Sequence, residues 1–247
     1  MDRMIYIALT GAREAMRGQM MVSQNLANAG TSGFRAVSQS VATSAIDGPG
    51  FQSRVNPVAE ADSFDTTAGS VSQTGRDLDV AIQGDGWIAV QDKSGKEAYT
   101  RAGDLRVSAS GFLENGSGRL VLGSGGPISM PPYQQIFVGN DGQISIVPQG
   151  QKPDTLVAVD RIKLVNPPAA QLIRGPDGLF RQADGGTAAP DAGVRVASGQ
   201  LEGSNVNSTV ALVQMIEMSR AYEMQVRSMK AAEDNDAAAQ KLMRSSG

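Results

Sequence analysis

Helical periodicity is confined to the two ends of this chain, and a glycine-rich stretch of alternating strand patterns separates them. From about Asp2 to Asn25, Ile5, Ala8, Leu9, Ala12, Met16, Gln19 and Met20 recur at three- and four-residue spacing, which marks an amphipathic helix. A strip of small residues, Ala8, Gly11, Ala15 and Gly18, runs beside that stripe. Each glycine costs a helix roughly 1 kcal/mol relative to alanine, so the strip needs a packing reason: close approach of another helix. Asn28-Ala29-Gly30 suits a left-handed helix end.

The second pattern starts near Asn205 or Asn207, either of which is a good N-cap. Its stripe runs Leu212, Met215, Ile216, Ser219, Tyr222, Val226 and Met229, and a heptad-like row continues through Ala232, Ala239 and Met243. At ~1.5 Å per residue, about forty residues span roughly 55 Å. That is longer than any face the middle of the chain needs covered.

Residues 36–80 are polar, carry Pro49 and Pro57, and read as an extended connector. Residues 81–199 read as β, with turn signals at Gly84-Asp85-Gly86, Ser110-Gly111, Asn115-Gly116, Asn140-Asp141-Gly142 and Pro176-Asp177-Gly178. Ile136-Phe137-Val138 and Ile144-Ser145-Ile146 flank one such turn and form the clearest hairpin signal. The expected class is α+β: long N- and C-terminal helices pairing as a coiled-coil axial core, with a β-rich central domain. The expected segments are 1–35 (helix and signature), 36–80 (connector), 81–199 (β-rich outer domain) and 200–247 (second axial helix).

Two absences narrow the chemistry. With no cysteine there are no disulfides, thiolate metal sites or cysteine nucleophiles; with no histidine the commonest general base and metal ligand is missing. A net charge of −3 offers no electrostatic footprint for nucleic acid or an anionic membrane. Gly84-Asp85-Gly86 and Gly123-Ser124-Gly125-Gly126 lack the Lys-Ser/Thr and following helix of a phosphate loop, so they read as turns. Asp77 and Asp79, with Asp104 and Asp85 nearby, could be arranged around a cation, but a turn or ion-pair role is the plainer reading. Tyr99-Thr100-Arg101 reads as a strand with an ion pair. No catalytic, cofactor or metal residue is assigned. The five apolar residues Ile5 to Leu9 are too few for a secretory core or a membrane span. The chain is therefore expected to be either cytosolic or exported by a machine that needs no cleaved signal.

Four blocks, in order, carry a family resemblance: Asn25-Leu26-Ala27-Asn28 with Thr31, Gly33, Phe34, Arg35 and Ala36; Thr74 to Ile82 with Gly84, Gly86 and Trp87; Tyr99 to Asp104 with Gly111 and Leu113; and Gly199 to Asn207 followed by Met215-Ile216 and Arg220-Ala221-Tyr222-Glu223. In these the chain resembles the flagellar basal-body rod and hook axial proteins over nearly its whole length. Trp87 and the compact Gly125-Gly126-Pro127-Ile128 stretch resemble the proximal rod type; a distal rod or hook-type subunit is the alternative within the family.

The resemblance implies a non-catalytic structural subunit of the rod, assembling with itself and with other rod subunits to transmit torque. It implies passage through the flagellar type III export apparatus without a cleaved signal, and a place in the periplasm-spanning rod, with no cofactor, nucleic acid or membrane insertion. On this reading Ala8, Gly11, Ala15, Leu26, Ile216, Tyr222 and Val226 sit in helix–helix contacts, Phe34 and Leu201 tie the helices to the connector, and Asn28 and Asn205 belong to the same interface. Two readings from other classes compete: a soluble binding or adhesin-like module with intramolecularly folded helices, and a metal-dependent hydrolase using Asp77, Asp79 and Asp104.

Overall fold

The computed structural model describes residues 3–45, 55–152 and 155–245. The chain forms two compact units, one of residues 1–28, 36–65 and 206–247, the other of residues 29–35 and 66–205. Pro49 of the expected connector, and the outermost residues of the two terminal segments, lie outside the described residues.

The first unit holds α1 (Arg3–Ala27), β1 (Val37–Ala45), β2 (Val55–Phe64) and α2 (Ser208–Ser245). α1 stops where Asn28 turns back: its N–H and its side-chain amide both donate to the Gln24 carbonyl. α2 starts at a side-chain cap, the Asn207 carboxamide oxygen accepting from the N–H groups of Thr209 and Val210. β1 and β2 pair antiparallel from Val37 opposite Phe64 to Ala45 opposite Val55, with one register break between Gln39 and Val41. Asn25 ties this hairpin to α1. Its amide donates to the Val37 carbonyl at 2.8 Å and its carbonyl accepts from the Val37 N–H at 2.9 Å, so one side chain acts as a backbone partner for the first strand residue.

The two helices touch through their smallest residues. A Cβ at Gly11 would lie 2.8 Å from Gln225 Cδ, and one at Gly18 would lie 3.0 Å from Met218 Sδ. Moving seven residues forward on α1 moves seven back on α2, so the helices run antiparallel. Ala8, Ala12 and Ala15 of α1 are buried, as are Ala211 and Ala232 of α2. The expected coiled-coil core is overturned here. Among the described residues there are only two α-helices, the rest of the regular structure being strand-rich, and the bulky row assigned to the seam does not form one: Leu212, Ile216, Tyr222 and Val226 are exposed. The physical reason is size. Alanine and glycine let the helices approach closely, and that contact leaves the larger side chains outside it.

Among its described residues, the regular structure of the second unit is strand apart from one 3₁₀ turn at Ala169–Gln171. Its strands are β3 (Val71–Gln73), β4 (Val80–Gln83), β5 (Trp87–Gln91), β6 (Glu97–Thr100), β7 (Leu105–Val107), β8 (Leu113–Asn115), β9 (Tyr133–Val138), β10 (Gln143–Pro148), β11 (Val157–Arg161), β12 (Leu164–Val165), β13 (Leu172–Arg174), β14 (Phe180–Gln182), β15 (Arg195–Ser198) and β16 (Gln200–Glu202). They form a five-stranded sheet in the order β12-β5-β6-β14-β13, a three-stranded sheet β11-β10-β9, and the pairs β15-β4, β16-β3 and β7-β8. The β9–β10 hairpin has the register its pattern predicts, with Ile144 opposite Val138 and Ile146 opposite Ile136. Its turn is closed by Asp141, whose carboxylate accepts from the Gln143 N–H.

The core of this unit is almost wholly aliphatic. Val80, Ile88, Val90, Leu105, Leu113 and Ile144 have no exposed surface. Trp87 and Phe180 form an aromatic pair, with ring centroids 4.5 Å apart. Burial on both faces of β5 explains why Trp87 to Val90 reads as a continuous apolar run rather than an alternation.

Candidate assembly interface

Each helix leaves large apolar side chains in water. On α1, Tyr6 is 67% exposed and Met16 and Met20 are more than half exposed. On α2 the same is true of Val213, Ile216 (55%) and Met224 (63%). Isolated exposed apolar residues are ordinary, but rows of them along two helices mark surfaces built for contact. α2 has 38 residues against 25 in α1, so its C-terminal turns run on past the start of the shorter helix. A groove of about 580 Å³ lies along the contact between the helices, lined by Gly11, Ala15, Gly18, Val22, Met218 and Ala221 among others.

The structure divides the expected interface residues into three groups. Ala8, Gly11 and Ala15 lie on the α1 face that meets α2, while Leu26 and Asn28 are half-buried at the end of α1. Ile216, Tyr222 and Val226 project into solvent. Phe34, Leu201 and Asn205 belong to the second unit. Phe34 is buried with the Arg174 guanidinium 4.9 Å above its ring, Leu201 stands opposite Ser72, and the Asn205 amide donates to the Thr67 carbonyl.

Around these last three lies a polar cluster that residue patterns alone did not single out. Arg35, Arg101 and Glu202 are all at least 96% buried. Glu202 accepts from Arg35 Nη2 at 2.6 Å through one oxygen and from Arg101 Nη1 at 3.1 Å through the other. Arg101 also donates to the Gly84 carbonyl and lies 5.6 Å from the Trp87 ring centroid. Desolvation pulls the Arg101 pKa below the usual arginine value against the opposing pull of Glu202. Arg101 follows directly on β6, and the partner of its expected ion pair stands 101 residues away, beyond the reach of any local pattern.

The carboxylates considered for a cation are arranged otherwise. Asp79 and Asp104 face each other across an isolated antiparallel bridge, and Arg76 lies 3.6 Å from the buried Asp79. Among the described residues, no group of three or more acidic, histidine or cysteine side chains could hold a metal ion. Burial raises the Asp104 pKa; the Asp79 charge adds to that, and N–H donation from Asp104 itself and from Gly116 opposes it. Protonated Asp104 is therefore favoured by folding. Its contribution is fully present below the ordinary aspartate value of about 3.9 and is lost as pH rises through the elevated folded value. Asp104→Asn is expected to remove that loss, so the stability difference between parent and variant changes with pH across this window and is flat above it. Urea unfolding at a series of pH values measures it, and a constant difference would refute the assignment.

Among the described residues no helix is long and apolar enough to cross a membrane. The family model described as "Flagellar basal body rod FlgEFG protein C-terminal" matches residues 197–242, and that described as "Flagellar hook protein FlgE/F/G D1 domain" matches residues 81–146. The chain is 39% identical to the flagellar basal-body rod protein FlgF of Salmonella typhimurium, over 98% of this chain and 99% of that one. Identity to the FlgF of Escherichia coli K12 is also 39%, with the same coverage. Identity to the flagellar basal-body rod protein FlgG of Bacillus subtilis is 30%, over 90% of this chain and 92% of that one. This chain belongs to the flagellar basal-body rod protein family.

Proposed function

We propose that the chain is a structural subunit of the bacterial flagellar basal-body rod, of the proximal type, which docks on neighbouring rod subunits and on its own copies through the exposed faces of α1 and α2. The observation that carries this reading is the row of large apolar side chains that both helices leave in water: Tyr6, Met16 and Met20 on one, Val213, Ile216 and Met224 on the other. Burying one such side chain is worth about 1.5–3 kcal/mol, so several together supply the drive for stable association. The function is mechanical: the subunit carries torque by staying packed, and the reading assigns no step of chemistry to any side chain. The FlgF relatives, similar from end to end, support the proximal assignment. On this reading the subunit reaches the periplasmic rod through the flagellar type III export apparatus without losing a leader.

Deleting the gene is expected to abolish swimming, and expressing the chain in the deleted strain to restore it. Basal bodies purified from the restored strain should contain the intact chain, with its first residues, by mass spectrometry. A deleted strain that swims, or basal bodies without the chain, would overturn the proposal.

A further inference from the structure

The chain passes between its two units four times, at 28/29, 35/36, 65/66 and 205/206. In the second unit these passages belong to three short segments, 29–35, 66–70 and 202–205, and Glu202, in the third, bonds to both of the others. The Glu202 carbonyl accepts from the Gly33 N–H at 2.9 Å. One of its carboxylate oxygens takes Arg35 Nη2 at 2.6 Å and the Gly69 N–H at 3.1 Å. Its other oxygen takes Arg101, which is anchored in turn at Gly84 and over Trp87 of β5. Further bonds close the set, Asn205 N–H to the Phe34 carbonyl and Gly203 N–H to the Ser70 carbonyl.

Two guanidiniums share one carboxylate in a site sealed from water, and Arg35 Nε, Arg35 Nη1 and Arg101 Nε make no hydrogen bond there. Apolar residues of similar volume often stabilise such a site as well or better. They could not hold the Gly69 N–H and two separate chain segments in one register. The cluster is a means of setting geometry more than of adding stability.

We infer that Glu202 is a positioning residue for rod assembly: its carboxylate and its main-chain carbonyl hold together, as one fixed mount, the three segments through which the chain leaves the second unit. The inference rests on the rod-subunit reading and adds the residue that holds the take-off points of both helix-bearing segments.

Hydrogen exchange on the full chain, paired with swimming in the deleted strain, tests it. In Glu202→Gln the Gly33, Gly69 and Asn205 amides are expected to exchange at least tenfold faster. The Ala89 and Leu122 amides, bonded to Lys163 and Ala89 in the body, should keep the parent's protection. Swimming should be lost. Arg35→Met leaves a one-to-one Arg101–Glu202 pair, so it should fold even if the first variant does not, with the Gly33 and Asn205 amides opened and swimming reduced. Uniform acceleration across the unit, unchanged junction amides in Arg35→Met, or opened amides with normal swimming would each overturn the assignment. If the deleted strain swims without any copy, it is the rod reading that fails, whereas the exchange pattern judges the mount separately.

Discussion

An Ile216→Asp chain is expected to fold with the parent's stability and yet fail to enter the rod, leaving cells that depend on it unable to swim. In the single chain Ile216 is 55% exposed in the third turn of α2, so its replacement removes little intramolecular packing. Surface substitutions of that kind change stability by about 0.5 kcal/mol or less. In an assembled rod the same position would be buried, and the cost has two parts. The apolar side chain's burial, about 2 kcal/mol, is lost. A carboxylate is then driven from water without a partner, which costs several kcal/mol more or blocks the contact. Even 3–4 kcal/mol of that loss lowers the association constant by roughly 200- to 1000-fold. Circular-dichroism melting of the purified chain and immunoblots of purified basal bodies separate the two effects. A variant that swims normally, or one whose melting point drops by many degrees, would show that Ile216 serves the fold of the subunit rather than its docking.

The terminal helices were legible because their signals are local. The 3.6-residue stripe and the Asn207 cap act within a turn or two of themselves. The left-handed end expected at Asn28-Ala29-Gly30 does not form: none of the three has a positive φ, and the first left-handed residue is Gly33. The β9–β10 hairpin was legible for the same reason, its register set by a glycine turn and flanking isoleucines. The coiled coil was a misreading of which side chains choose the contact. Weighing bulky residues put Leu212, Ile216, Tyr222 and Val226 in the seam, whereas close backbone approach put Ala211, Met218, Gln225 and Ala232 on the inner side. The pairing of β1 with β2 was hidden by their polar composition. Their order comes from backbone bonds and from Asn25, which supplies the partner for Val37. The Arg35–Glu202 pair could not be found locally at all. Its members are 167 residues apart, each in a polar stretch where a charge reads as solvated, and only the folded second unit brings them within 2.6 Å.

The second large effect is expected at Gly33, the position in the N-terminal signature where no other residue fits. Its φ is +64°, a region that costs an L-residue about 1–2 kcal/mol. Space is the harder limit. A Cβ there would lie 2.2 Å from the Arg101 carbonyl carbon and 2.3 Å from the Ala102 nitrogen. Both are backbone atoms beside the buried cluster, so no rotamer change relieves the overlap, and one of two chain segments must shift. Strain of this kind falls among the rare substitutions that cost more than about 4 kcal/mol. For a unit of this size that lowers the melting temperature by roughly 10 °C or more. Gly75 isolates the contribution of backbone angle alone. Its φ is +74°, and a Cβ would meet nothing within 4 Å, so Gly75→Ala should cost only about 1 kcal/mol. Gly33→Ala is thus expected to depress melting at least three times as far as Gly75→Ala and to abolish swimming, because the same shift breaks the Gly33 bond to Glu202. Equal effects at the two glycines would mean that the segment bearing Gly33 moves away from Arg101 at little cost, which a fixed mount forbids.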